Sequence, residues 1–233
     1  MRNDERLRTI YEVMAPYIVR NEHNWRDYLA FASQFHKHSF DNILLVYAQD
    51  EDVSILATRK QWAAIGRNLI PRAKGVAVCV YRNAKLTLDY LFDVSQTTGK
   101  EIHPTDWQLS DEMKEALTER LSYAHGFPKQ GFSQALYALA SESVADNYNH
   151  FLQELKQETK GHLFTEIPAG GFEAQYIQLL TDSISYFIGK KCHLPDEEIQ
   201  LSDGMATVSH FNTLPLVCLL YTSPSPRDGA TSR

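Results

Sequence analysis

Apolar residues recur at helical spacing from the start of the chain. Leu7, Ile10, Tyr11, Met14 and Ile18 share one face of a helix predicted over 4–20, with Pro16 placed to kink or shorten it. Asn24 is a good N-cap for a second helix carrying Trp25, Tyr28, Leu29, Ala32 and Phe35. Ser39 can cap a third, Phe40 to Gln49, whose apolar face is Ile43, Leu44, Val46 and Tyr47. Thr58 can start a fourth, and Gly66 sits where a glycine would end it. The period then changes to two. Val76, Val78 and Val80 alternate with Ala77, Cys79 and Tyr81, Asn83-Ala84 makes a turn, and residues 85–94 return as a second strand.

Residues 95–109 are polar and turn-rich and form the first candidate boundary. Ser110 can cap a helix over 111–124, with Gly126 after it. A helix at about 132–157, a Gly-rich loop at 161–171 and an apolar helix at about 172–190 follow. The expected fold class is α+β: short helices packed on a β-hairpin or small antiparallel sheet, followed by a helical subdomain. The expected domains are 1–97 and 98–215. The remainder, 216–233, changes abruptly to a Ser/Pro/Arg-rich composition and reads as a disordered tail or as a non-native read-through of the kind that ends metagenomic gene fragments.

Composition adds an asymmetry. The net charge of −6 argues against a nucleic-acid partner as a single number, but residues 1–82 hold 12 Lys/Arg against 9 Asp/Glu, and 83–233 hold 11 against 20. Only the N-terminal third suits an anionic partner. Cys79, Cys192 and Cys218 have no spacing for a metal knuckle or a disulfide framework. No signal-peptide h-region opens the chain and no apolar run approaches a membrane span, so a cytoplasmic protein without membrane contact is expected.

Catalytic signatures are missing. No His pair has metalloprotease spacing, and His36-Lys37-His38 lacks a neighbouring Cys or carboxylate at ligand distance. Thr98-Gly99-Lys100 ends like a phosphate loop but no glycine precedes it at the required distance. No Ser stands in a Gly-x-Ser-x-Gly elbow. The expectation is a non-enzyme with no metal and no cofactor.

One run carries chemistry. Between Val53 and Leu88 there is no Asp or Glu, while Arg59, Lys60, Arg67, Arg72, Lys74, Arg82 and Lys85 all lie there. Such cations bind phosphates through counterion release, and aromatic rings beside them can stack on unpaired bases. Trp25 and Trp62 read either as stacking surfaces or as core; Tyr47 reads as core. Asn42 and Gln49, polar on an apolar helix, read either as base or sugar contacts or as an internal network tying that helix to the loop before Trp62.

The order Trp25-(x)2-Tyr28-Leu29, Phe40-Asp41-Asn42-Ile43-Leu44-Leu45-Val46-Tyr47-Ala48-Gln49, Trp62-(x)3-Gly66-Arg67 and Lys74-Gly75-Val76-Ala77-Val78 resembles the N-terminal domain of ArdC antirestriction proteins. It is closer to the LtrC-like N-terminal region of large conjugative-element proteins of helicase/methylase type, where residues 90–97 also have a counterpart. The resemblance covers roughly 20–215. One departure is Pro71-Arg72, where a glycine is expected. The resemblance implies a non-catalytic single-stranded-DNA-binding module of a mobile-element protein, with enzymatic domains elsewhere in the full chain. Lys60, Arg67, Arg72 and Lys74 would hold phosphates and Trp25 or Trp62 would stack bases. The alternative expectation is a scaffold whose acidic helical half docks a protein partner, a relaxosome or host restriction component. A third is a fragment that only stabilises a missing catalytic domain.

Overall fold

The computed structural model describes residues 3–35, 37–82, 85–102, 109–127, 131–158 and 171–211. The Asn83-Ala84 turn, the loop up to 170, His36 and the tail at 216–233 lie outside the described residues. The chain is α+β. It divides into two compact units: Met1–Met14 with Gln34–Trp107, and Ala15–Ser33 with Gln108–Arg233. The sequence suggests one cut at 97/98. The division by contact instead gives residues 15–33, and Trp25 with them, to the helical unit.

The first unit takes most of α1 (Asn3–Ile18), α3 (Phe40–Gln49) and α4 (Arg59–Ala64); α2 (Glu22–Ser33) belongs to the second. Ser39 accepts the Asn42 N–H at the start of α3. Thr58 and Gln61 close a reciprocal capping box on α4. Gly66 follows that helix at φ +81, a conformation glycine adopts without a Cβ clash. β3 (Val76–Arg82) and β4 (Lys85–Asp93) pair antiparallel from Val76 opposite Leu91 to Arg82 opposite Lys85. β1 (Leu56–Thr58) adds to the other side of β4, Leu56 opposite Asp93 and Thr58 opposite Leu91, giving the order β1-β4-β3. A separate ribbon joins β2 (Arg67–Leu69) to β5 (Thr97–Gly99). These three short strands are absent from the sequence reading.

Val76, Val78 and Leu91 bury one face of the sheet, with Ile43, Leu44, Leu45 and Val46 of α3 also buried in this unit. The free edge of β3 is closed by side chains. Asn42 Nδ2 donates to Cys79 O at 2.8 Å, and Cys79 N donates to Asn42 Oδ1 at 2.8 Å. Gln49 and Ala77 repeat the exchange at 2.9 and 3.0 Å. Two amides seven residues apart on α3 thus act as a surrogate strand, satisfying backbone groups an edge would leave open. At the far end of β4, buried Asp93 accepts the N–H groups of Ser54, Ile55 and Ser95, tying β1's entry to β4's exit.

The second unit centres on α7 (Phe172–Lys191), with α6 (Phe132–Glu158), α2 and the 3-10 turn Gly204–Phe211 against it and α5 (Asp111–His125) against α6. Tyr28, Tyr176, Leu179, Leu180, Met205 and Phe211 fill its core. Asp182 is fully buried but satisfied: Ser202 N and Oγ and Gly204 N all donate to it. Ser110 caps α5, and Gly126 ends it at φ +70, both as the sequence predicts.

Candidate nucleic-acid interface

Trp25 is 2% exposed and its indole N–H donates to Ser183 Oγ at 2.8 Å. Trp62 is also 2% exposed and donates to Phe92 O at 2.8 Å. Both indoles are core, with their one polar atom satisfied inside the protein, so neither offers a face to a base; the stacking expectation for both is corrected. Asn42 and Gln49 spend their amides on the β3 edge, an internal network that ties α3 to Cys79 and Ala77 and not to the loop before Trp62. Arg67 is likewise committed. Its Nε donates to Thr97 Oγ1 at 2.7 Å, its Nη2 to Thr97 O at 3.0 Å, and its Nη1 to Lys100 O, so the guanidinium holds the β2–β5 ribbon.

The other nominated cations stand differently. Lys60, Arg72 and Lys74 are exposed, as is Arg59, and none has an ion-pair partner among the described residues. The side chains of Arg82 and Lys85 lie outside the described set. Arg72 adopts φ +66. Ala73 N donates to Ile70 O at 3.2 Å, which makes Ile70-Pro71-Arg72-Ala73 a turn with proline second and a left-handed residue third. That third position of a type II turn favours glycine, so an arginine there carries backbone strain of about 1 kcal/mol. Arg72 therefore stands at a turn position whose geometry favours glycine.

A groove of about 1080 Å³ brings part of this run together. Arg59, Lys60, Gln61 and Ala64 of α4 form one wall, and Tyr90 and Phe92 of β4 the other. It opens between α4 and β4. Tyr90 is 45% exposed. Gly75 lies directly under this wall: a Cβ there would stand 2.9 Å from Phe92 Cζ and 3.0 Å from Tyr90 Cβ. The loop bearing Lys74 thus enters β3 beneath the same two rings. Asp89 is the one carboxylate in the lining among the described residues, and its Oδ1 accepts the Tyr90 N–H at 2.9 Å.

Sequence reasoning misses Tyr90 and gives Arg59 no role. Tyr90 sits in the second strand, outside the charge-free run, and only its place opposite Ala77, with Gly75 beneath it, leaves its ring uncovered. A second hollow, of about 590 Å³, lies in the helical unit and is rimmed by Glu115, Glu119 and Glu198, with Lys114 already paired to Asp111 and Glu198. Its acidic rim is unsuited to phosphate. Burial pushes the Cys79 and Cys192 thiols up, away from reactive thiolate. Among the described residues no group of His, Cys, Asp or Glu is placed to hold a metal ion, and no helix is long and apolar enough to cross a membrane. No protein-family model, curated protein or solved structure matches the chain.

Proposed function

We propose that the first unit binds single-stranded DNA through the groove between α4 and β4, and that this chain is a non-catalytic binding part of a mobile-element protein. The observation that carries the reading is the set of exposed cations, Arg59, Lys60, Arg72 and Lys74, without an ion-pair partner among the described residues and in a stretch with no carboxylate of its own up to Leu88. Exposed cations without partners hold phosphates by releasing counterions and read no sequence. Strain kept at Arg72, where glycine would relieve it, fits a side chain retained for contact. The resemblance to ArdC-like and LtrC-like N-terminal regions supports the same reading.

The test is charge reversal. In the Arg59→Glu/Lys60→Glu variant, affinity for a fluorescent oligothymidylate falls at least tenfold while circular dichroism and melting stay unchanged. A second reading, docking of a protein partner through the acidic helical half, has one observation in its favour: α5 exposes Met113, Leu117 and Tyr123, the last 94% exposed. Unchanged DNA retention in the charge-reversed, folded variant favours that second reading.

A further inference from the structure

The sheet's hydrogen-bond phase locates main-chain groups along the edge of β4 that runs into the groove. In an antiparallel ladder, opposed residues either exchange both backbone bonds or neither. Cys79 gives its N–H and C=O to Asn42, so its partner Leu88 also turns both groups away from β3. Ala77 gives its pair to Gln49, so Tyr90 does the same. Two bonds on the far side fix the phase independently: Tyr90 N–H meets Asp89 Oδ1, and Phe92 O receives the Trp62 indole. β1 covers β4 only at residues 91–93 and the chain then turns into α4. The edge at Leu88 and Tyr90 is left without a strand partner among the described residues.

The geometry points to this open edge of β4 as the base-contacting part of the site, an inference that rests on the single-stranded-DNA reading. The Tyr90 ring stacks on an unpaired base, and the outward main-chain pair of Leu88, with Tyr90 O, hydrogen-bonds a base edge. The protein already contains the pattern in miniature: the Asn42 amide, an adjacent donor and acceptor, docks on the N–H and C=O of one strand residue with both bonds at 2.8 Å. Every base carries an adjacent donor and acceptor on its Watson–Crick edge, so the contact is sequence-tolerant. In a duplex those edges are occupied and the faces are stacked, which confines the site to single strands. Arg59 and Lys60 on the opposite wall then take the flanking phosphates.

The full chain is tested with three ligands of equal length: oligothymidylate, its abasic (tetrahydrofuran) counterpart, and a duplex. The inference expects Tyr90→Ala to weaken oligothymidylate binding about tenfold, Tyr90→Phe to retain it, and abasic binding to be the same in all three proteins. It also expects the Leu88 amide resonance to shift with oligothymidylate and not with the abasic strand. Equal affinity for oligothymidylate and abasic strands, or a Tyr90→Ala protein indistinguishable from wild type, overturns the edge contact while leaving the phosphate reading in place. Absence of binding to both strands at low salt removes the reading itself and the inference with it.

Discussion

Trp62 illustrates how a residue type can mislead when its surroundings are unknown. Its indole is enclosed and hydrogen-bonded to Phe92 O. Trp62→Ala is therefore expected to cost about 3–5 kcal/mol of stability, read by urea denaturation. Trp62→Phe should cost about 1 kcal/mol and leave DNA affinity unchanged; weaker binding by a fully stable Trp62→Phe protein would reverse the assignment. Arg72 offers the opposite case. Arg72→Gly removes a cation but relieves φ +66, so stability should stay within about 1 kcal/mol while DNA affinity falls. Asp93 links a single carboxyl to pH. Burial alone would raise it, but the amides of Ser95, Ser54 and Ile55 outweigh burial and hold it below the ordinary carboxylate range. A group lowered on folding contributes stability above its unfolded pKa, and that contribution disappears as pH falls through the folded value. The melting temperature of the wild type should fall on acidification below about pH 4, and its advantage over Asp93→Asn should shrink over the same range. A constant advantage would show that the charge on Asp93 contributes nothing.

At the scale of elements, what the sequence makes legible follows from how local each signal is. Ser39, Thr58, Ser110, Gly66 and Gly126 carry their meaning in the backbone beside them, and each ends or starts a helix as read. The hairpin is legible because Val76 to Val80 is long enough to show alternation. β1, β2 and β5 are three residues each, too short to show a period, and their pairing depends on residues 28 to 37 positions away. The second helix starts at Glu22 rather than after Asn24, because Asn21 Oδ1 takes the Asn24 N–H and caps the turn earlier. The role of Asn42 and Gln49 needs the register of β3 to be known. Their joint replacement, Asn42→Ala/Gln49→Ala, strips the edge of four hydrogen bonds. It should lower stability by about 2–4 kcal/mol and promote self-association, read by light scattering. A stable, monomeric double variant would mean the edge needs no guard.

For the whole molecule, the charge asymmetry seen along the sequence is softened by the actual partition. The first unit holds 12 Lys/Arg and 11 Asp/Glu, the second 11 and 18, net +1 and −7. The proposed anionic partner would thus meet the local cations Arg59 and Lys60 at the α4–β4 groove and not a basic unit as a whole. This is also why the candidate site was only half legible. Lys60, Arg72 and Lys74 stand in a run visible in the sequence, but Tyr90 joins Lys60 in the groove only through the sheet, and Arg67 leaves the set because β5 folds back onto β2.

The most direct test of a phosphate-holding cationic groove is the salt dependence of oligothymidylate affinity, followed by fluorescence anisotropy from about 0.05 to 0.5 M. Contacts from Arg59, Lys60, Arg72 and Lys74 predict that log K falls linearly with log salt at a slope of about −3, and that Arg59→Glu/Lys60→Glu flattens it. Affinity that stays constant across that range, or a slope indifferent to the double charge reversal, would contradict the account.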